Sequence, residues 1–259
     1  QAALKAWQWS LENPEVFYKQ PEDISTGAYP DTTLTDERFW AASELYLTTG
    51  EERFKTALEQ SYLKPVTPKW DVVQALGAIS LITSDQKDSF GAIKADFIEY
   101  TESMLARQNA SPYLISMKVF AWGSNSDVGN DGMLKIVAYD LTEDKRYLNA
   151  AQNDLDYLLG RNTTGYCFVT GFGSQSPLKP HNRIIAADGI EAPIPGYIAG
   201  GPNTIVPNDC EPEIVDRSTF PAASYADVQC SYSTNETAIN WNAPLVFLSS
   251  GLLVNEGPF

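Results

Sequence analysis

An all-α fold is what this sequence predicts, on three observations. Apolar residues recur at helical spacings through most of residues 1–162, strand-like alternation is scarce there, and a helical pattern returns after residue 235 once a long irregular stretch has passed. With 259 residues, 43% of them hydrophobic, and only three cysteines, the chain can bury a large core without depending on disulfides or metals. One domain over residues 1–259, or a large piece of one, is expected.

The elements follow in order. Ala2–Glu12 carries Ala2, Ala3, Ala6, Trp7 and Trp9 and has no N-cap before it, which predicts a segment upstream of Gln1. Thr35–Thr49 holds Phe39, Trp40, Leu45 and Leu47 at helical spacings, and further helices are predicted over 51–62, 71–81, 87–107, 131–140 and 145–159. The stretches 20–33, 64–69 and 122–130 are rich in Pro or Gly and polar residues and are expected as loops. A similar phrase, Leu45-Tyr46-Leu47-Thr48-Thr49-Gly50 and Ala138-Tyr139-Asp140-Leu141-Thr142-Glu143, is read as closing one helix and leading into the next.

Residues 163–235 differ in character: eight prolines, repeated glycines and few periodic runs make a segment too long for an idle connector. Long ordered loops on a rigid scaffold carry function, so the site is sought there. The apolar pattern resumes over 236–253 through Ile239, Leu245, Val246, Leu248 and Leu252.

Composition narrows the partner. A net charge of -15 disfavours nucleic acid and anionic membrane surfaces, and no run is long and apolar enough to span a bilayer. Six Trp and thirteen Tyr suit a neutral ligand with apolar faces, such as a sugar. Cys167, Cys210 and Cys230 with the single His181 fit no zinc spacing; Cys210 and Cys230 both lie in the irregular segment and form a candidate disulfide in an oxidising compartment.

Two motifs then carry a resemblance. Phe168-Val169-Thr170-Gly171-Phe172-Gly173 running to Pro180-His181-Asn182-Arg183 closely resembles the first signature of glycoside hydrolase family 9. Tyr225-Ala226-Asp227, then Tyr232, then Asn235-Glu236-Thr237-Ala238-Ile239-Asn240-Trp241-Asn242-Ala243-Pro244 resembles the second. Ala187-Asp188-Gly189 and Gly200-Gly201-Pro202-Asn203 lie between them, and the likeness extends through Tyr157–Asn162 and more loosely to Gln1.

What the resemblance implies is the C-terminal portion of an (α/α)6 barrel, with the irregular segment as its active-site loops, in a secreted, periplasmic or cell-surface enzyme that hydrolyses β-1,4-glucan with inversion. Inversion needs a protonated carboxyl at the leaving oxygen and a carboxylate holding water on the other face. Glu236 is expected as the acid. The family's Asp-Ala-Gly-Asp base motif does not occur in this sequence, so the base is expected on an N-terminal portion of the same domain outside this chain. An exo-acting hydrolase and a non-catalytic glucan-binding protein are the alternatives.

Other roles are implied by the same likeness. Asp227 is expected to tune the site and His181 and Arg183 to bond sugar hydroxyls at the cleavage point, with Tyr232 beside the substrate. Trp122 and Trp241 are candidate pyranose platforms, although Trp241 packing beneath Glu236 is the competing reading. Many family members carry Arg-Tyr or a similar pair close to the substrate after Trp-Gly, where this chain has Ser124-Asn125-Ser126-Asp127, which leaves the preference of that subsite open. Thr26, Gly27, Asp36, Glu37 and Asp71 match positions of a structural cation, and hard oxygen ligands suit Ca2+. The sequons at Asn109, Asn162 and Asn235 are not read as glycosylation sites, the last because a glycan would block the cleft.

Overall fold

The computed structural model describes residues 1–256 apart from 212 and 216, and the side chain of Glu256 lies outside the description. Ten α-helices are found among the described residues, with isolated bridges and no strand. The fold class is therefore all-α, as the periodicity predicts. The chain divides into two compact units, Gln1–Phe97 and Ile98–Phe259, within the fifth helix.

The first unit holds α1 (Ala2–Glu12), α2 (Thr35–Thr49), α3 (Glu52–Gln60) and α4 (Gln74–Thr83), followed by a short 3-10 turn at Lys87–Phe90. Phe39, Ala42, Phe54, Leu58, Ala75, Ala78 and Leu81 form its buried interior. The inward stripe of α2 meets α4 at close range, because a Cβ at Gly77 would lie 2.9 Å from the Trp40 backbone. Glycine there is a packing requirement.

α5 (Gly91–Asn109) leads into the second unit, where α6 (Ser124–Thr142), α7 (Lys145–Leu158) and α10 (Ile239–Glu256) pack together around Val128, Ile136, Leu148, Ala151, Leu158, Leu245, Leu248 and Leu252. Two glycines set the approach of α6 and α10: a Cβ at Gly132 would lie 2.7 Å from Leu248, and one at Gly251 would lie 2.8 Å from Ile136. α7 starts where Asp144 accepts the Arg146 N–H at 2.9 Å, an N-cap contact.

The repeated phrase does close two helices. Gly50 and Glu143 both adopt the left-handed region (φ 70 and 58) and donate their N–H to Tyr46 and Tyr139 carbonyls, which satisfies carbonyl groups left over at the helix ends.

Several assignments depart from the expectation. α6 begins at Ser124, seven residues before the predicted start at 131, because Gly123 turns the chain in the left-handed region (φ 81) and buried carbonyls accept from Ser124 Oγ and Asn125 Nδ2. The last helix begins at Ile239, since Glu236 is extended (φ -66, ψ 153) and Thr237 pairs with Ala199. Two short helices, α8 (Arg183–Ala187) and α9 (Tyr232–Asn235), lie inside the segment read as irregular.

A buried charge cluster braces α6 against α7. Lys135 donates to Asp154 at 2.5 Å and to Ser116 at 3.1 Å, and Ser116 in turn donates to Asp131. The side chains of Lys135 and Asp154 are wholly buried. Burial pushes Asp154 up to about 7, with Lys135 opposing and Asp131 adding to the rise.

Candidate active site

The irregular segment folds back on the core of the second unit. Phe168 and Ile198 are fully buried, Val169 bridges Ile198, and Ala199 donates to the Phe168 carbonyl at 2.9 Å. Residues 234–237 lie beside two of these loops. His181 donates its N–H to Asn235 and Gly200 donates to Glu236, each at 2.8 Å. The backbone of Glu236 is thus held from both sides by residues far away in sequence.

Glu236 is half-buried, and removal from water raises its carboxyl above the usual range. The indole N–H of Trp122 and the charge of His181 work against the rise. Tyr232, on α9, joins the two: its ring centroid is 5.5 Å from that of Trp122 and 5.9 Å from that of His181. Trp122, Tyr232, His181 and Glu236, four residues singled out in the sequence, are therefore brought together. A carboxyl raised by burial is suited to holding and delivering a proton.

Asp227 takes a different place from a group that bonds substrate. Its two oxygens accept from Leu178 N at 2.7 Å, Lys179 N at 2.9 Å and Asn235 Nδ2 at 3.2 Å. Asn235 is itself fully buried, accepts from Tyr225 Oη at 2.6 Å and donates to the Lys179 carbonyl at 2.8 Å. Asp227 acts on the fold of this loop, one residue short of Glu236, and Tyr225 belongs to the same lock.

Trp241 is wedged in the packing. A Cβ at Gly123 would lie 3.0 Å from its indole and one at Gly200 2.9 Å, so both glycines leave the room its ring fills. The ring packs against the core cluster, which favours the packing reading over a sugar platform. Ser124, Asn125 and Ser126, read as a possible subsite, are buried too: Ser124 Oγ donates to Pro202 O and Asn125 Nδ2 to Ala199 O, both at 2.9 Å. Arg183 opens α8 and is exposed.

The residues matched to a cation site lie in the first unit. Asp36 is buried; one of its oxygens accepts from Val73 N at 2.8 Å, while Asp36 Oδ1 and Glu37 Oε2 are buried without a hydrogen-bond partner. Burial, with Asp36 adding, pushes Glu37 up to about 7. Thr26 and Gly27 are exposed, and the Thr26 carbonyl accepts from Gln20 Nε2 at 3.0 Å; Asp71 is half-buried, two residues from Val73. Two orphaned carboxylate oxygens fit a hard cation, but no group of three or more His, Cys, Asp or Glu that could hold a metal is found among the described residues. Carbonyl oxygens would have to complete a shell.

A second lock, which sequence reasoning missed, lies on the other side of α9. Cys210 and Cys230 form the disulfide, with Cα atoms 5.3 Å apart, and Cys167 is a buried free thiol. Next to the bridge, Asp209 and Arg217 pair at 3.3 Å with almost no exposed surface. Only the flanking cysteines hinted at it.

The chain is similar to several known proteins. The profile of glycosyl hydrolase family 9 matches residues 1–249. The chain is 38% identical over 275 residues to a xyloglucan-specific endo-beta-1,4-glucanase of Bacteroides ovatus, covering 97% of this chain and 45% of that one. It is 34% identical to endoglucanase C of Cellulomonas fimi, covering 96% of this chain and 24% of the relative. Its fold matches the structure of AaCel9A in complex with cellobiose-like isofagomine at a TM-score of 0.88 and 31% identity, covering 99% of this chain and 50% of that chain.

This chain belongs to glycosyl hydrolase family 9. Its fold class is that of the family's (α/α)6-barrel enzymes, and it spans about half the length, or less, of the relatives it matches.

Proposed function

We propose that this chain supplies the acid half of an inverting endo-β-1,4-glucanase acting on cellulose or a related β-glucan such as xyloglucan. The observation that carries the reading is Glu236, its carboxyl raised by burial and flanked by Trp122, Tyr232 and His181. Glu236 protonates the leaving glycosidic oxygen, and a carboxylate across the cleft activates water. Trp122 and Tyr232 offer ring faces to a pyranose, and His181 and Arg183 bond its hydroxyls.

The base belongs to an N-terminal portion of the same catalytic domain. Apolar surface in each unit supports a further segment packing there. In the first unit a groove of about 560 Å³ is lined by Trp7, Trp9, Val16, Leu34 and Leu45. In the second, Ile239, Val246, Phe247, Leu253 and Val254 stand exposed at helical spacing along α10.

The Cys210–Cys230 bridge supports secretion or a cell-surface location, since such bonds persist in oxidising compartments. Asp36 and Glu37, with carbonyls of the neighbouring loops, would hold a structural Ca2+ that pairs with their two buried, unpartnered oxygens.

Reducing-sugar release from a soluble β-1,4-glucan tests the reading. The chain is assayed together with its N-terminal portion, as wild type and as Glu236→Gln. Loss of at least about 10³-fold in kcat with unchanged glucan binding is expected, given the weight of a general acid. Equal rates for the two proteins would reject Glu236 as the acid, and glucan binding without cleavage by the wild type would select a binding protein.

A further inference from the structure

We propose that Asp209 and Arg217 are positioning residues for the general acid, acting through α9; this rests on the reading of Glu236 as that acid. α9 is a single turn that carries Tyr232 and ends at Glu236, so it cannot hold its own orientation by internal hydrogen bonds. Something outside it must do so. From one side Asp227 and Tyr225 hold Asn235, as described above. From the other, the Asp209 carboxylate meets the start of the turn.

The contacts are dense. Asp209 Oδ2 accepts from Ser233 N at 3.0 Å, from Ser233 Oγ at 2.5 Å and from Ser231 Oγ at 3.3 Å. Arg217 donates to the same two hydroxyls, at 3.2 Å to Ser231 and 3.0 Å to Ser233, and also to the Val206 carbonyl. Ser231 and Ser233 flank Tyr232, the residue whose ring faces Trp122 and His181. Each partner of the ion pair therefore grips both neighbours of Tyr232.

The chain brings this grip to α9 by a covalent tether. Cys210, next to Asp209, is bonded to Cys230, next to Ser231. Asn203 completes the frame by donating to the Ser233 carbonyl at 2.7 Å. Replacing the pair with neutral groups would strip Ser231 and Ser233 of their charged partners, leaving Thr234 Oγ1 to Ser231 at 2.7 Å and the Val206 carbonyl to Ser233 at 3.4 Å, while the disulfide still closed the loop. The segment would then stay attached but turn about its axis, and Tyr232 and Glu236 would move with it. Displacements of about 1 Å at a reacting group cost up to roughly 10²-fold in rate.

The experiment compares Asp209→Asn and Arg217→Lys with wild type, with Glu236→Gln to assign the signal. Two quantities are read: the titration of the Glu236 carboxyl by 13C NMR on this chain, and kcat and KM on a soluble β-1,4-glucan with the N-terminal portion present. Expected are a displaced Glu236 titration and a fall in kcat of about tenfold or more with KM nearly constant in Asp209→Asn, and a smaller change of the same kind in Arg217→Lys, which keeps the charge. An unmoved titration with unmoved kcat in folded variants would overturn the proposal. So would loss of cooperative unfolding in both variants, which would make the cluster part of the folding core. A displaced titration in variants of a wild type that cleaves no glucan would sustain the positioning role and reject the hydrolase reading.

Discussion

His181 Nδ1 lies 2.6 Å from the carbonyl oxygen of Gln229. A carbonyl only accepts, so this nitrogen carries a hydrogen and Nε2 is left at the opposite edge of the ring. The charge of His181 also counters the rise that burial imposes on Glu236. Removing the ring in His181→Ala lifts the Glu236 carboxyl further. Because a general acid works protonated, the alkaline limb of the kcat profile moves to higher pH while its maximum falls by about tenfold or more. A rate–pH series on the two proteins checks the direction.

Asp227→Asn retains the shape of the side chain but turns one acceptor into a donor, which faces the amides of Leu178 and Lys179. Hydrogen bonds to a charged group are worth about 1.5–3 kcal/mol each, so a loss of about 2 kcal/mol is expected, or roughly 4–8 °C in Tm for a chain of this size. Thermal unfolding followed by circular dichroism measures it. Glucan binding by the folded fraction should change little, since Asp227 points at backbone amides.

Lys135→Met strips the cation from the Asp131–Asp154 cluster and costs about 3–5 kcal/mol, as for other buried pairs broken on one side. The cost depends on pH. Burial already pushes Asp154 in the folded state up to about 7, above its unfolded value, so its neutral form is favoured at low pH and the penalty grows as pH rises through that region. Without Lys135 that carboxyl rises further. Urea unfolding at pH 5 and pH 8 should show the smaller loss at pH 5.

Added Ca2+ is expected to raise Tm of the wild type by a few degrees and to leave Asp36→Asn nearly unchanged, because a ligand that binds only the folded state stabilises it in proportion to its occupancy. Chelator should reverse the gain. Equal melting of the wild type with and without Ca2+ would reject the cation site.

Much of this architecture could be read from sequence, and the misses share one cause. The helices of the first unit follow from local periodicity, and the ends of α1 and α2 from Pro14 and Gly50. The first turn of α6 does not, because Ser124 and Asn125 look like loop residues until the Pro202 and Ala199 carbonyls supply their acceptors some seventy residues away. The extended Glu236 is likewise fixed by His181 and Gly200. Tyr232, His181 and Glu236 stand in the two motifs, and Trp122 is read outside them as a candidate pyranose platform. Asp209 and Arg217 carry no local pattern, since an ion pair across eight residues of irregular chain leaves none.

The burial of Asn235 bears on the choice of expression host. Its side-chain amide is spent on Lys179 and Asp227, and Asn235-Glu236-Thr237 is an acceptor tripeptide. Oligosaccharide is attached to such tripeptides in the eukaryotic secretory pathway while the chain is still emerging, before Asn235 is sequestered. A molecule modified there cannot seat the amide and loses the turn that leads into Glu236. Yeast or insect-cell material would then be a mixture of competent and permanently disarmed molecules, whereas a bacterial periplasm would oxidise the cysteines without adding the sugar.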